Sequence, residues 1–145
     1  MRKDIVAATI STILVDPASA HYSLKSCEEW NIGLEALVQP VADNQLVLYE
    51  GKVVVYNIDT IEPAAASAGI AVVIPDTDDP LGGSKCVALT GIGAIDVKKA
   101  QRHYDAARGL LLTIPAQKSN DTGELTPDAP VRMRINLQKS TVEIE

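Results

Sequence analysis

The chain has 145 residues and a mass of 15.4 kDa, which is the size of one ordinary domain with a real hydrophobic core. Its net charge of −6 repels nucleic-acid phosphates, so nucleic acid is not an expected partner. No stretch approaches the roughly 20 apolar residues of a membrane-spanning helix, so no membrane is expected either. We therefore predict a single soluble domain over residues 1–145.

The first 20 residues allow two interpretations. "MRK", the apolar run "IVAATISTILV" and "ASA" have the layout of a secretory signal with its cleavage site. Asp4 before the apolar run and Asp16 near the cleavage region argue against it. We predict a strand over residues 5–15 and a cytoplasmic protein, with secretion as the alternative.

The composition favours strands and an aliphatic core. The sequence contains no Phe, one Trp and four Tyr, so the core must be built from Val, Ile, Leu and Ala. Cys27 and Cys86 are far apart and fit neither a zinc spacing nor a CxxC redox pair. We expect them to be buried free thiols, and Trp30 to belong to the core.

Several segments show strand signals. "EEWNIGLEALV" fits a strand better than a helix because Gly33 disfavours helix. "QLVLYEGKVVVYNI" predicts a hairpin that turns at Glu50 and Gly51, with both strands covered on both faces. Further strands are predicted at residues 70–74, 86–93 and 110–114, and a short helical turn at 63–69.

Residues 96–108 remain ambiguous between a helix and a hairpin. Asp96 is a candidate helix N-cap, and Gly109 is a candidate helix end. The alternative is a hairpin in which "YDAARG" forms the turn. Beyond it, residues 118–130 are rich in turn formers and predict a long polar loop.

The clearest pattern lies at the C-terminal end. Val131, Met133, Ile135 and Leu137 alternate with polar residues, which predicts a half-buried strand with these four side chains inward. A turn at residues 139–140 would place Leu137 beside Val142, Ile135 beside Ile144 and Arg134 opposite Glu145. The whole pattern predicts a mainly β protein: an antiparallel sandwich or barrel of about seven to eight strands, with one helix near residues 96–108 as the open addition.

The segment "IPDTDDPLGG" at residues 74–83 is the most suggestive for chemistry. Asp76, Asp78 and Asp79 offer oxygen ligands to a metal, but the spacing fails the calcium-loop pattern because Pro80 and Leu81 occupy its fifth and sixth positions. Asp, Pro and Gly are also the residues that turns require for backbone reasons. We predict a solvent-exposed turn and keep the three aspartates as candidate metal ligands only.

Two other motifs are weak. "TGIGAID" resembles a dinucleotide fingerprint, but Asp96 replaces the third glycine, so Gly91 and Gly93 are expected to mark a bulge or a close backbone approach. His21 and His103 neighbour hydroxyl and carboxylate residues, including Asp105, without any recognisable catalytic motif.

These observations lead to a functional hypothesis. We expect a non-catalytic β-rich interaction or structural module that self-associates or binds a protein partner, with no cofactor and no catalytic residue. A mean hydropathy of +0.08 in a small acidic protein suggests that some apolar surface is covered by a partner. The alternatives are a small hydrolase or metal-assisted enzyme using His103 and Asp105 or the Asp76–Asp79 cluster, and a β-barrel carrier of a small ligand.

Overall fold

The protein is an antiparallel β-sandwich, shown by a computed structural model that describes residues 22–126 and 129–145. The predicted strand at residues 5–15 and the candidate His21 lie outside the described residues. In the described part the chain forms eleven strands. They are β1 (Lys25–Ser26), β2 (Gln45–Leu48), β3 (Val53–Asp59), β4 (Ala68–Pro75), β5 (Ser84–Ile92), β6 (Ala94–Ile95), β7 (Gln101–Asp105), β8 (Gly109–Ile114), β9 (Ala116–Gln117), β10 (Val131–Asn136) and β11 (Thr141–Ile144).

Helical structure in the described residues is limited to single 3-10 turns. They lie at Leu34–Ala36, Val41–Asp43, Tyr49–Gly51, Ala64–Ala66 and Val97–Lys99. The turn at Ala64–Ala66 confirms the short helical turn predicted after Pro63. None of the described helical segments has the length and apolar character needed to cross a membrane.

The strands form three antiparallel sheets. The first sheet has the order β1-β5-β4-β3-β2, the second has the order β11-β10-β8-β7, and β6 pairs with β9 in a small two-stranded sheet. Eight of the strands are four residues or longer, which agrees with the predicted number. Successive strands pair directly at five places, namely β2–β3, β3–β4, β4–β5, β7–β8 and β10–β11, as short connections favour.

An aliphatic core fills the space between the two large sheets. Every second residue of the central strands points inward, and the largest side chains among them are fully buried. They include Val53, Val55, Ile70, Val72, Ile74, Leu89, Leu112, Ile114, Met133 and Ile135. The absence of Phe is therefore met by interdigitated Val, Ile and Leu side chains, which pack densely between pleated sheets.

A second, smaller core covers the outer face of the first sheet. Residues 27–38 cross that face and bury Ala36 against Ile58, Ala71 and Ala88. The strand predicted for "EEWNIGLEALV" is wrong: the segment makes turns and one 3-10 turn, with a single bridge between Leu37 and Ile58. Its apolar residues bury against a sheet face without joining the sheet, and alternation alone cannot separate these two outcomes.

Cys27 and Cys86 form a disulfide, which overturns the predicted free thiols. Strand β1 pairs with β5 so that Ser26 lies opposite Val87, and the next pair along the ladder is the two cysteines. Their Cα atoms are 5.4 Å apart, within the range that a disulfide spans. Sequence spacing could not show this because the pairing depends on the register of two distant strands.

The ambiguous segment at residues 96–108 is a hairpin, and the helix alternative is wrong. After the 3-10 turn at Val97–Lys99, the chain enters β7 and returns through β8. The Asp105 carboxylate accepts hydrogen bonds from the backbone N–H groups of Ala107 and Arg108, which closes the turn. Gly109 has a φ of +91°, so the glycine supplies the left-handed residue that ends the turn rather than a helix.

The hairpin of β2 and β3 is confirmed, including its turn, where Glu50 and Gly51 have φ values of +56° and +89°. The expectation that both strands are covered on both faces holds only for β3. Strand β2 is the edge of its sheet, and Val47 on its outer face is 48% exposed. A run of apolar residues therefore does not separate an edge strand from a central one.

The C-terminal hairpin forms, but with a register two residues away from the predicted one. Met133 lies opposite Ile144 and Ile135 opposite Val142, because the turn takes residues 137–140 rather than two residues. Val131, Met133 and Ile135 are buried as predicted, whereas Leu137 is half-buried in the turn. Ser140 has a φ of +53° and its hydroxyl donates a hydrogen bond to the carbonyl of Pro75, which holds the turn against the first sheet.

Candidate functional site

The aspartate segment forms the turn between β4 and β5. Pro75 ends β4, and the backbone N–H of Asp76 donates to the carbonyl of Gly83 across the base of the loop. Gly82 has a φ of +74°, a conformation that favours glycine. Leu81 at the tip is 94% exposed, so the loop projects into solvent.

Two of the three carboxylates bond to the loop itself. Asp79 accepts hydrogen bonds from the backbone N–H groups of Leu81, at 2.9 Å, and Gly83, at 3.0 Å. Asp76 accepts one from the backbone N–H of Asp78, at 3.1 Å. Each carboxylate thus replaces a missing backbone partner, which is the turn chemistry of aspartate. No group of three or more acidic, His or Cys side chains within residues 22–126 and 129–145 is arranged to hold a metal ion.

His103 and Asp105 lie on the same face of β7 but are not bonded to each other. Their side chains are two residues apart on one strand, and no hydrogen bond between described side chains joins them. Hydrogen bonds from the backbone of Arg108 and Ala107 lower the pKa of Asp105, so its carboxylate stays ionised and bound to the turn. His103 is exposed to solvent. The described residues therefore place His103 and Asp105 on one strand face without a contact between their side chains.

Gly91 and Gly93 serve the backbone, as predicted. The pairing of β4 with β5 is irregular between Ala68 and Ile70, opposite Gly91, whose φ is +78°. At Gly93 a Cβ atom would lie 2.9 Å from the backbone nitrogen of Ser119 and 3.0 Å from the carbonyl oxygen of Gln117. The first glycine marks a bulge and the second a close approach between strands, the two roles that glycine takes in strands.

Strand β7 is a candidate association surface. It is the last strand of the second sheet, so within the described residues its outer backbone edge pairs with nothing. Four of its five residues are exposed. Tyr104 lies on the face of the sheet from which β8 contributes buried side chains to the core, yet it is 65% exposed. The strand thus extends past the core and offers both faces and one edge to solvent.

A cleft of about 330 Å³ lies at the opposite edge of the first sheet from β2. Its lining combines two aromatic side chains, three hydroxyls, one cation and the bulge glycine. The lining residues are Tyr22, Ser23, Trp30, Thr90, Gly91, Lys118 and Ser119. Trp30, predicted to belong to the core, packs half-buried against the second core, and its indole N–H donates to the carbonyl of Ala88 at 2.9 Å. Only the rarity of Trp in the chain could have drawn attention to this cleft.

A larger cleft of about 510 Å³ lies beside the start of β7. The small two-stranded sheet and Pro115 line it, and the ion pair between Asp96 and Lys99, 3.5 Å apart, stands at its rim. Both charged side chains are well exposed, so the pair is screened by solvent and contributes little.

Comparison with protein-family models, with curated protein sequences and with solved structures gives no match to this chain. The geometry of β7, the clefts and the loops is therefore the main guide to function.

Proposed function

We propose that this protein is a non-catalytic β-sandwich module that acts by association, first with a second copy of itself. The observation that carries the proposal is the exposed edge of β7. An edge strand offers a row of backbone donors and acceptors to another strand, and pairing with an identical strand is the simplest closed assembly.

The residues of β7 are complementary to themselves in an antiparallel arrangement. If a two-fold axis passes at His103, Arg102 lies opposite Tyr104 of the second copy, and Gln101 lies opposite Asp105 of the second copy. A guanidinium against an aromatic ring and an amide against a carboxylate are both favourable pairs. No carboxylate then meets a carboxylate, and no guanidinium meets a guanidinium.

Arg102 makes this edge selective. It is paired with Leu112 and shares the inward face of the sheet with that buried residue. An inward-facing charge on an edge strand discourages pairing with an unrelated apolar strand. A partner that places a tyrosine opposite Arg102 removes this charge penalty. The second copy provides Tyr104 at that position.

The alternatives draw less support from the described residues. The enzyme hypothesis needs His103, Asp105 or the Asp76–Asp79 group to converge, and these carboxylates instead close two separate turns. The carrier hypothesis needs an empty interior, whereas aliphatic side chains fill the space between the sheets.

The proposal includes an oxidising location. The Cys27–Cys86 disulfide supports it, since such bonds persist mainly outside reducing compartments. The disulfide therefore favours the secretory alternative. The cytoplasmic location expected from the sequence stays a prediction. Labelling of free thiols in intact cells tests the point: protection of both cysteines supports an oxidising location, and rapid labelling contradicts it.

The molecular mass in solution tests self-association. Light scattering over a range of concentrations should show a rise from the 15.4 kDa of one chain towards about twice that mass. Tyr104→Lys should prevent the rise because it places a cation opposite Arg102 of the second copy. Leu81→Lys is the matched control, since Leu81 is exposed in a different loop. A mass of one chain at every concentration would refute self-association, and an unaffected Tyr104→Lys variant would refute the role of β7.

A further inference from the structure

The cleft beside β1 has two rigid aromatic walls. The Tyr22 hydroxyl donates a hydrogen bond to the carbonyl of Ala129 at 3.0 Å, and the Trp30 indole N–H donates to the carbonyl of Ala88 at 2.9 Å. Burial also raises the pKa of Tyr22, which keeps its hydroxyl protonated as a donor. Because each ring is held at its polar atom, its orientation is set before any ligand arrives, and binding loses less entropy.

A lysine ammonium group lies over each of the two aromatic rings. Lys25 Nζ lies 4.6 Å from the centroid of the Trp30 ring, and Lys118 Nζ lies 5.6 Å from that of Tyr22. Neither lysine belongs to any of the ion pairs among the described residues. In a chain with a net charge of −6, the lining of this cleft contains a lysine and no acidic side chain. Lys118 is therefore the charged side chain of this lining, and its ammonium keeps donors for an anion.

The rest of the lining is small and hydroxylated. Ser23, Thr90 and Ser119 place three hydroxyl groups around the bulge at Gly91. At Gly91 a Cβ atom would meet nothing within 4 Å, so the missing side chain leaves open space. The volume of about 330 Å³ lies at the lower end of the range for small-molecule sites.

We propose that this cleft binds an acidic monosaccharide unit, a pyranose ring that carries a carboxylate. The Lys118 ammonium binds the carboxylate through charge-assisted hydrogen bonds. The three hydroxyls exchange hydrogen bonds with those of the sugar, and the sugar ring packs against the parts of the two aromatic side chains that line the cleft. Neither the β7 edge nor self-association contributes to this site.

The single tryptophan makes the site measurable. Trp30 is the one Trp of the whole sequence and it lines the cleft, so its fluorescence reports directly on binding there. Titration of the oxidised, full-length protein with glucuronate should give a saturable change in Trp30 emission. Glucose should bind at least about tenfold more weakly than glucuronate because it lacks the charged group. Acetate should also bind at least about tenfold more weakly because it lacks the hydroxyls and the ring.

Variants of Lys118 separate charge from packing. Lys118→Gln should weaken glucuronate binding by about tenfold or more, while Lys118→Arg should retain it. Lys52→Gln is the matched control, since Lys52 is exposed in the turn between β2 and β3. Three results would each overturn the proposal: no response to glucuronate, an equal response to glucose or acetate, and unchanged binding by Lys118→Gln. A binding curve independent of the oligomeric state would show that the site stands apart from the proposed association.

Discussion

Arg134 bonds to Glu145 rather than to Glu143, its direct neighbour across the strand pair. The register places Arg134 opposite Glu143, yet its Nε and Nη2 atoms donate to the two carboxylate oxygens of Glu145 at 2.7 and 2.9 Å. Arg108 lies 3.1 Å from the same carboxylate. Arg134 is 7% exposed, so this two-bond pair is partly shielded from solvent, unlike most surface ion pairs.

This contact makes stability depend on pH in the acid range. Hydrogen bonds from Arg134, helped by the charge of Arg108, lower the pKa of Glu145 from 4.5 to about 2. A carboxylate with a lowered pKa stabilises the fold above its unfolded pKa, and that contribution disappears as the pH falls through the folded value. The melting temperature of Glu145→Gln should be lower than that of the wild type at pH 7, and the gap should close between about pH 4.5 and 2.

Glu143→Gln is the control for this prediction. Glu143 is exposed and takes part in no ion pair among the described residues. Its substitution should change the melting temperature little at any pH. An equal pH-dependent loss in both variants would show that general charge, rather than the Arg134–Glu145 contact, causes the effect.

Reduction of the Cys27–Cys86 disulfide should weaken the fold. The bond ties residues 27–38, which cover the outer face of the first sheet, to the central strand β5 across a sequence separation of 59. Closing such a loop typically contributes about 2–4 kcal/mol to the free energy of unfolding. Urea unfolding with and without a phosphine reductant measures it. The stability of the Cys27→Ser/Cys86→Ser variant should not change with reductant. A change in that variant would show that loss of the disulfide is not the cause.

The strands were predictable where one side of a strand faces the core. Residues 131–135 alternate because β10 has a buried and an outer face, so period two is visible in the sequence. The register of the same hairpin was not predictable, since it depends on a four-residue turn that Ser140 anchors to Pro75 on the other sheet. That contact joins residues far apart in the chain and leaves no local pattern.

The candidate sites show the same division. The turn formed by the aspartate loop was predictable because Asp, Pro and Gly act on the backbone next to them. The aromatic cleft was not, because Tyr22, Trp30 and Lys118 meet only after β5 and the loop following β9 come together. The helix alternative at residues 96–108 failed for a related reason: a glycine with positive φ ends helices and hairpin turns alike.

Two leucines should show how strongly burial controls stability. Leu112 is fully buried between the sheets, whereas Leu81 is 94% exposed at the tip of the aspartate loop. Leu112→Ala should lower the free energy of unfolding by about 2–5 kcal/mol because it removes buried methyl groups and leaves a cavity. Leu81→Ala should change it by less than about 0.5 kcal/mol. Denaturant titration of both variants gives the comparison, and equal losses would contradict the sandwich packing.

The aspartate loop should depend on Asp79 for stability and not on calcium. Asp79→Ala removes the acceptor of two backbone N–H groups, so it should lower the free energy of unfolding by about 0.5–1.5 kcal/mol. Asp78→Ala is the matched control, since the Asp78 carboxylate accepts none of the hydrogen bonds found among the described residues. Millimolar calcium should leave the melting temperature of the wild type almost unchanged. A rise of several degrees with calcium, lost in Asp79→Ala, would instead show a cation site, because a ligand that binds only the folded state stabilises it.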